Sequence, residues 1–203
     1  MERRNNYDRA ARQAQERFLT YSQQAIIEKH GLRYDDRYLY TALFGLPYRL
    51  DRRTGQQDRL EDGRWIPANS FEEVLTLLDL LCDSQADRSV TGEYRTLQSF
   101  GLQFHQSLVE DRPAPIALVY DKNPGGLSRA CEALGGKPCA GADVGYILLV
   151  FEELTLMLRF WHGDQEFAPR LRYFWDSNAL SYLRYETMYY AISALEERIQ
   201  ALL

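Results

Sequence analysis

No Cys-x-x-Cys pair, no glycine-rich phosphate loop and no apolar run of membrane-spanning length occurs in these 203 residues. Cys82, Cys131 and Cys139 are widely spaced, and no histidine stands at zinc-finger distance from any of them, which excludes a sequence-local metal knuckle. Cys82 closes a leucine-rich run, where a free thiol behaves as a small hydrophobe. Cys131 and Cys139 flank Gly135-Gly136, within reach of one another, yet reduced thiols are the expectation for a cytosolic chain. Also missing are G-x-x-x-x-G-K-[ST], a G-x-G-x-x-G after a strand, and G-x-S-x-G, so no phosphate cradle or nucleophile elbow is written in the sequence. Basic charge is short as well. With 29 acidic against 24 basic residues, interspersed, the formal net charge is -5, which argues against nucleic acid as a partner. The arginines near the start (Arg3, Arg4, Arg9, Arg12) are interrupted by Asp8 and Glu16 and read as a solvated helix face. A polar N-terminus carries no signal peptide, and with no spanning segment the expectation is a soluble cytoplasmic protein without a membrane partner.

What the chain does contain is enough apolar material, 45% of residues, to build a core without staples. Tyr7, Ala11, Ala14, Phe18, Tyr21 and Ala25 recur at helical steps, predicting one long helix over 5–30, packed as an arm and stopped by His30-Gly31. Tyr38 to Phe44 and Leu46 to Asp51 read as strands about Gly45, with Pro47 placing them at a sheet edge. Residues 52–64 read as a polar turn and extended region. Ser70 with Glu73 forms a capping box ahead of a leucine-rich helix apolar on nearly all sides, hence central. Residues 84–125 carry too many Gly and Pro to be ordered by pattern alone. A short helix follows over Leu127 to Leu134, then Tyr146 to Phe151 as a strand buried on both faces. An alternating strand over Leu154 to Trp161 and a third through Leu171, Tyr173 and Trp175 complete a meander. Met188, Ile192, Leu195, Ile199 and Leu202 stripe a final helix whose apolar face must dock on the sheet or on another chain. Two strand-strand-helix segments, 38–82 and 145–202, hint at pseudo-duplication. The expectation is a single α+β domain over 1–203, with a mainly antiparallel sheet packed by helices, long ones at both ends.

The densest chemistry lies in Leu158 to Glu186. His162, Asp164 and Glu166 would share one face of an extended strand and could hold a divalent metal or do acid–base work. Against that stands a solvated connection in which Gly163 breaks the alternation, the favoured reading. Trp161, Phe167, Tyr173 and Trp175, with Phe174, are the candidate ligand-binding set, set against the core that usually takes strand aromatics. Asn123-Pro124-Gly125-Gly126 opens a helix and could cradle an anion, but a plain turn and helix start fits it better. His105 reads as a structural histidine.

In order along the chain, Gly45-Leu46-Pro47-Tyr48-Arg49-Leu50-Asp51, the helix from Phe71 to Leu81, Gly92-Glu93-Tyr94, Ala133-Leu134-Gly135-Gly136, Trp161 to Phe167, Asp176-Ser177-Asn178-Ala179 and Tyr182-Leu183 resemble the bacterial and archaeal family known as domain of unknown function 3786. The resemblance covers most of the chain and implies a setting in anaerobes. Some members carry a cysteine-rich segment for an iron–sulfur cluster; this chain lacks that run, so that cofactor is not carried over and the cofactor stays unknown, and the resemblance supplies no catalytic residues. The leading functional reading is a non-catalytic accessory module that binds a small ligand or a partner protein. The alternative is a small metal-dependent hydrolase using His162, Asp164 and Glu166, and a third reading is a homodimer built on helix stripes.

Overall fold

The computed structural model describes residues 2–68, 70–101 and 114–203; His105 lies outside them. Within them are six α-helices and two five-stranded antiparallel sheets, the α+β class. The chain divides into two compact units, Met1–Arg88 with Leu180–Ala194 and Ser89–Ala179 with Leu195–Leu203. The strands of the two strand-strand-helix segments fall in different sheets, and the helix of the second segment is shared between the units.

In the first unit the expected 5–30 helix is two helices, α1 (Glu2–Phe18) and α2 (Gln23–His30). The apolar stripe runs on through the break, but local hydrogen bonding overrides it. Thr20 and Tyr21 N–H turn back to the carbonyls three residues earlier, and Ser22, extended at φ -68° and ψ 102°, accepts the Ala25 N–H as the N-cap of α2. Gly31 ends α2 in the left-handed conformation, as its position predicts. α1 packs on the central helix α3 (Phe71–Asp83): Phe18 is fully buried, and Arg17 pairs with Asp83 at 3.0 Å.

The first sheet runs β1 (Arg33–Tyr34), β2 (Tyr38–Leu43), β3 (Leu46–Asp51), β4 (Gln57–Glu61) and β5 (Arg64–Pro67) in sequence order. β3 is therefore central, not at an edge. Phe44 and Gly45, both at positive φ, make a two-residue turn closed by the Leu43–Leu46 pair. Ala42–Pro47 is then the wide, non-hydrogen-bonded pair, so the Pro47 nitrogen points away from β2. On that side β4 starts pairing only at Tyr48, and the missing N–H interrupts no ladder. The polar 52–64 segment holds β4 and the turn into β5. Asp62-Gly63, at φ 48° and 74°, is the hairpin signal that marks it.

α3 covers the Tyr48, Leu50, Gln57 side of this sheet and buries residues on nearly its whole circumference. Ser70 caps it by accepting the Glu73 N–H. The Glu73 carboxylate turns inward. It is 1% exposed, accepts the Tyr48 hydroxyl and pairs with Arg59 at 3.2 Å. Tyr48→Phe takes a donor from a charge that water cannot reach and should cost about 1.5–3 kcal/mol. A urea midpoint equal to the parent's would show that the remaining donors satisfy Glu73 without Tyr48.

The second sheet has the order β6-β10-β9-β8-β7, from β6 (Tyr94–Thr96), β7 (Lys137–Pro138), β8 (Val144–Phe151), β9 (Leu154–Trp161) and β10 (Arg170–Asp176). The expected meander is its centre. One face is core: Val144, Tyr146 and Leu148 stand across from Phe160, Leu158 and Leu156, which in turn face Leu171, Tyr173 and Trp175. Helices α4 (Ala114–Lys122) and α5 (Pro124–Ala133) serve this face, with Tyr120 edge-on to Phe160 and the Tyr146 hydroxyl donating to Glu132. β8 is not buried on both faces as expected, since Leu149 is 42% exposed. α5 starts three residues earlier than its apolar pattern predicts, and the Asn123 side chain accepts the Gly126 N–H at 3.0 Å. The chain itself thus caps the turn considered as an anion cradle.

Asp176, fully buried, accepts the N–H groups of Thr91, Gly92 and Asn178, while Ser177 N–H donates to Glu93 O and the Asn178 amide to Ser89 O. A single carboxylate thereby ties the approach to β6 to the end of β10. The last helix, α6 (Tyr185–Ala201), contributes to both units, dividing at Ala194 and Leu195. Met188, Ile192, Leu195 and Ile199 are buried as their spacing predicts, whereas Leu202 lies past the helix end and is exposed.

Candidate functional site

β9 ends at Trp161, and the residues that follow leave extended geometry. Asp164 folds them onto itself. Its N–H donates to Phe167 O, while its Oδ1 accepts the N–H groups of Glu166 at 2.8 Å and Phe167 at 2.7 Å. This is an Asx turn. Those two bonds, Glu166 first, hold the Asp164 carboxyl below the usual carboxylate range. Gly163 sits where a Cβ would stand 2.7 Å from Pro169 Cδ, so the loop closes only over glycine. The shared-face argument for His162, Asp164 and Glu166 assumed a strand; in this loop the premise fails. Among the described residues no three His, Cys, Asp or Glu side chains are grouped so as to hold a metal ion.

The group that meets His162 is instead Asp121, in the last turn of α4. His162 Nδ1 donates to Asp121 Oδ1 at 2.9 Å, and that oxygen also accepts Gly163 N–H at 3.2 Å. Asp143, just before β8, accepts the backbone N–H of His162 at 2.8 Å, and Phe160 stands edge-on to the imidazole. Two carboxylates from separate elements therefore pin the exit of β9. Neither was legible as a partner of His162. Asp121 lies 41 residues away, in a stretch whose helices the pattern did not resolve.

The hydrogen bond from His162, then that from Gly163 N–H, holds the Asp121 carboxyl below its ordinary value. A depressed acid contributes its stability in full above the unfolded value, near pH 4, and loses it as pH falls through the lowered one. Carbon-detected NMR titration should therefore find Asp121 titrating low, and His162→Ala should move it up. No movement would mean that the Gly163 N–H alone depresses it.

The candidate aromatic set separates into two layers. Tyr173 and Trp175 point into the core, 8% and 0% exposed. Trp161 has the opposite parity and lies on the outer face, with the Arg170 guanidinium 5.6 Å from its ring. Phe167 projects from the loop at 67% exposure. Trp161 and Trp175 therefore do not line one cavity. Phe174, also outward, carries the Arg159 guanidinium 5.4 Å from its ring.

The outer face of the second sheet can be read from its register. One row runs Lys137, Ile147, Met157, Phe174, Thr96; beside it stand Arg159 with Arg172, and Trp161 with Arg170. The acid of that parity, Asp176, is fully buried and engaged by Thr91 and Gly92. The outer face of the first sheet is aromatic as well, but its charges are balanced. Arg49 lies between Tyr38 and Trp65, 4.2 and 4.8 Å from their rings, and pairs with Asp58 at 2.8 Å, while Arg37 pairs with Asp51.

The family model described as Domain of unknown function (DUF3786) matches residues 23–197. The chain belongs to this family. No curated protein and no solved structure matches it. The segments that carried the resemblance in the sequence are mostly joints of the fold in this chain. Gly45 turns the β2–β3 hairpin, and Gly135 stands at positive φ beyond α5. Gly92 and Asp176 are bonded to one another, and the Trp161 to Phe167 segment is the loop held by Asp121 and Asp143. No helix among the described residues is long and apolar enough to cross a membrane.

Proposed function

We propose that this chain is a non-catalytic accessory module that binds a partner protein. The observation that carries the reading is a contrast in how its polar groups are used. The side chains best suited to chemistry are committed to holding the fold: His162 to Asp121, Asp164 to its own loop, Glu73 to Tyr48 and Arg59, Asp176 to three backbone N–H groups. The outer sheet faces, by contrast, present Tyr, Trp, Phe and Arg, residue types that dominate binding energy at protein interfaces. The small-ligand version has less support, because its four candidate rings lie in two layers and a loop. The metal-dependent alternative has less support, since His162, Asp164 and Glu166 are not grouped to hold a metal ion among the described residues and Asp164 Oδ1 is taken up by its own loop.

Cross-linking the tagged chain in its native cells, followed by mass spectrometry, tests this. The expected result is a second polypeptide at fixed stoichiometry, retained in His162→Ala. A turnover detected by NMR in a native metabolite extract, and abolished by His162→Ala, would overturn the reading.

A further inference from the structure

We infer that the outer face of the second sheet docks an acidic polypeptide segment carrying apolar side chains. This rests on the partner-binding reading and names the partner's chemistry. The argument is charge complementarity. The chain as a whole carries a net charge of -5, yet this face collects Lys137, Arg159, Arg170 and Arg172, against one exposed acid at its rim, Asp143, whose carboxylate accepts the His162 N–H. Lys137, Arg159 and Arg170 form no ion pair with any described residue, unlike Arg37 and Arg49 on the other sheet. Arg159 is also held ready. One guanidinium nitrogen donates to Ala140 O at 3.1 Å, and the plane rests by Phe174. A carbonyl and a ring fix the group's position but leave its positive charge uncompensated, and a carboxylate would complete it.

Between these cations lie the half-buried Ile147 and Phe174 on either side of the buried Met157, with Leu149 42% exposed beside Ile147. Alternating carboxylate and apolar side chains on a partner would match both features. Single-stranded nucleic acid fits less well: its affinity typically draws on about 6–10 phosphate contacts, and an acidic chain repels it at long range.

The test measures fluorescence anisotropy of a labelled peptide rich in aspartate and leucine, with a serine-for-aspartate peptide and an oligodeoxythymidylate as the other arms. Lys137→Glu/Arg170→Glu changes two exposed side chains on the face, and Arg53→Glu/Arg64→Glu makes the same change of net charge elsewhere on the surface. The acidic peptide should bind best, weaken with added salt, and lose about tenfold or more in affinity with the first variant only. Equal binding of the serine peptide, equal losses in both variants, or tighter binding of the oligonucleotide would each overturn the inference. A native partner that cross-links to the parent and still cross-links to Lys137→Glu/Arg170→Glu would sink this face while leaving the accessory-module reading intact.

Discussion

Trp175→Ala should destabilise the protein by about 3–5 kcal/mol, a large share of what a domain of this size has to lose. The indole is fully buried on the inner face of the second sheet, opposite Leu156, which itself faces Leu148. Truncation removes its transfer free energy and opens a cavity in a layer packed on both sides. One feature of the site works the other way: the indole Nε1 is buried with no acceptor among the described residues. Trp175→Phe discards that orphaned donor along with part of the ring, so it should cost much less than alanine. Urea denaturation of the three proteins decides whether Trp175 is core. A Trp175→Ala midpoint within error of the parent would mean that the indole lines a space able to empty without penalty, and the ligand-pocket reading would return.

Leu195→Ala should cost about 2–5 kcal/mol by the same sum of transfer and cavity terms. Leu195 is fully buried on α6, in a stripe with Met188, Ile192 and Ile199. A helix that docked only on a partner would carry this stripe in water, and its truncation would then weaken binding and spare the isolated chain. Denaturation of a monomeric sample separates the two. An unchanged midpoint would remove α6 from the core. Leu202→Ala, beyond the helix end and half exposed, is the internal control and should change little.

These two residues also mark how far the sequence could be read. Leu195 was legible because a helical stripe is a property of the contiguous chain: steps of three and four put it on one face whatever that face meets. The cap at Ser70, the stop at Gly31 and the alternation of β9 were legible for the same reason. Where local chemistry competed with periodicity, the turn chemistry won. Ser22 broke a stripe that reads as one helix, and Asp164 coiled a segment for which strand alternation was the less favoured of two readings. The signals at Ser22 and at Asp62-Gly63 were present in the sequence, but each was outweighed by a longer pattern around it.

By itself, then, the sequence determined the α+β class, the antiparallel meander, the buried stripes of α3 and α6, and the family. Those follow from composition, period and turn residues, which act within a few positions along the backbone. Only the tertiary structure decided that β3 is central, that Trp161 and Trp175 lie on opposite sides of one sheet, and that His162 meets Asp121 rather than Asp164. Each of these depends on register or on loop closure across tens of residues. A shift of one position would invert the faces of a strand, and no local pattern encodes which distant carboxylate arrives.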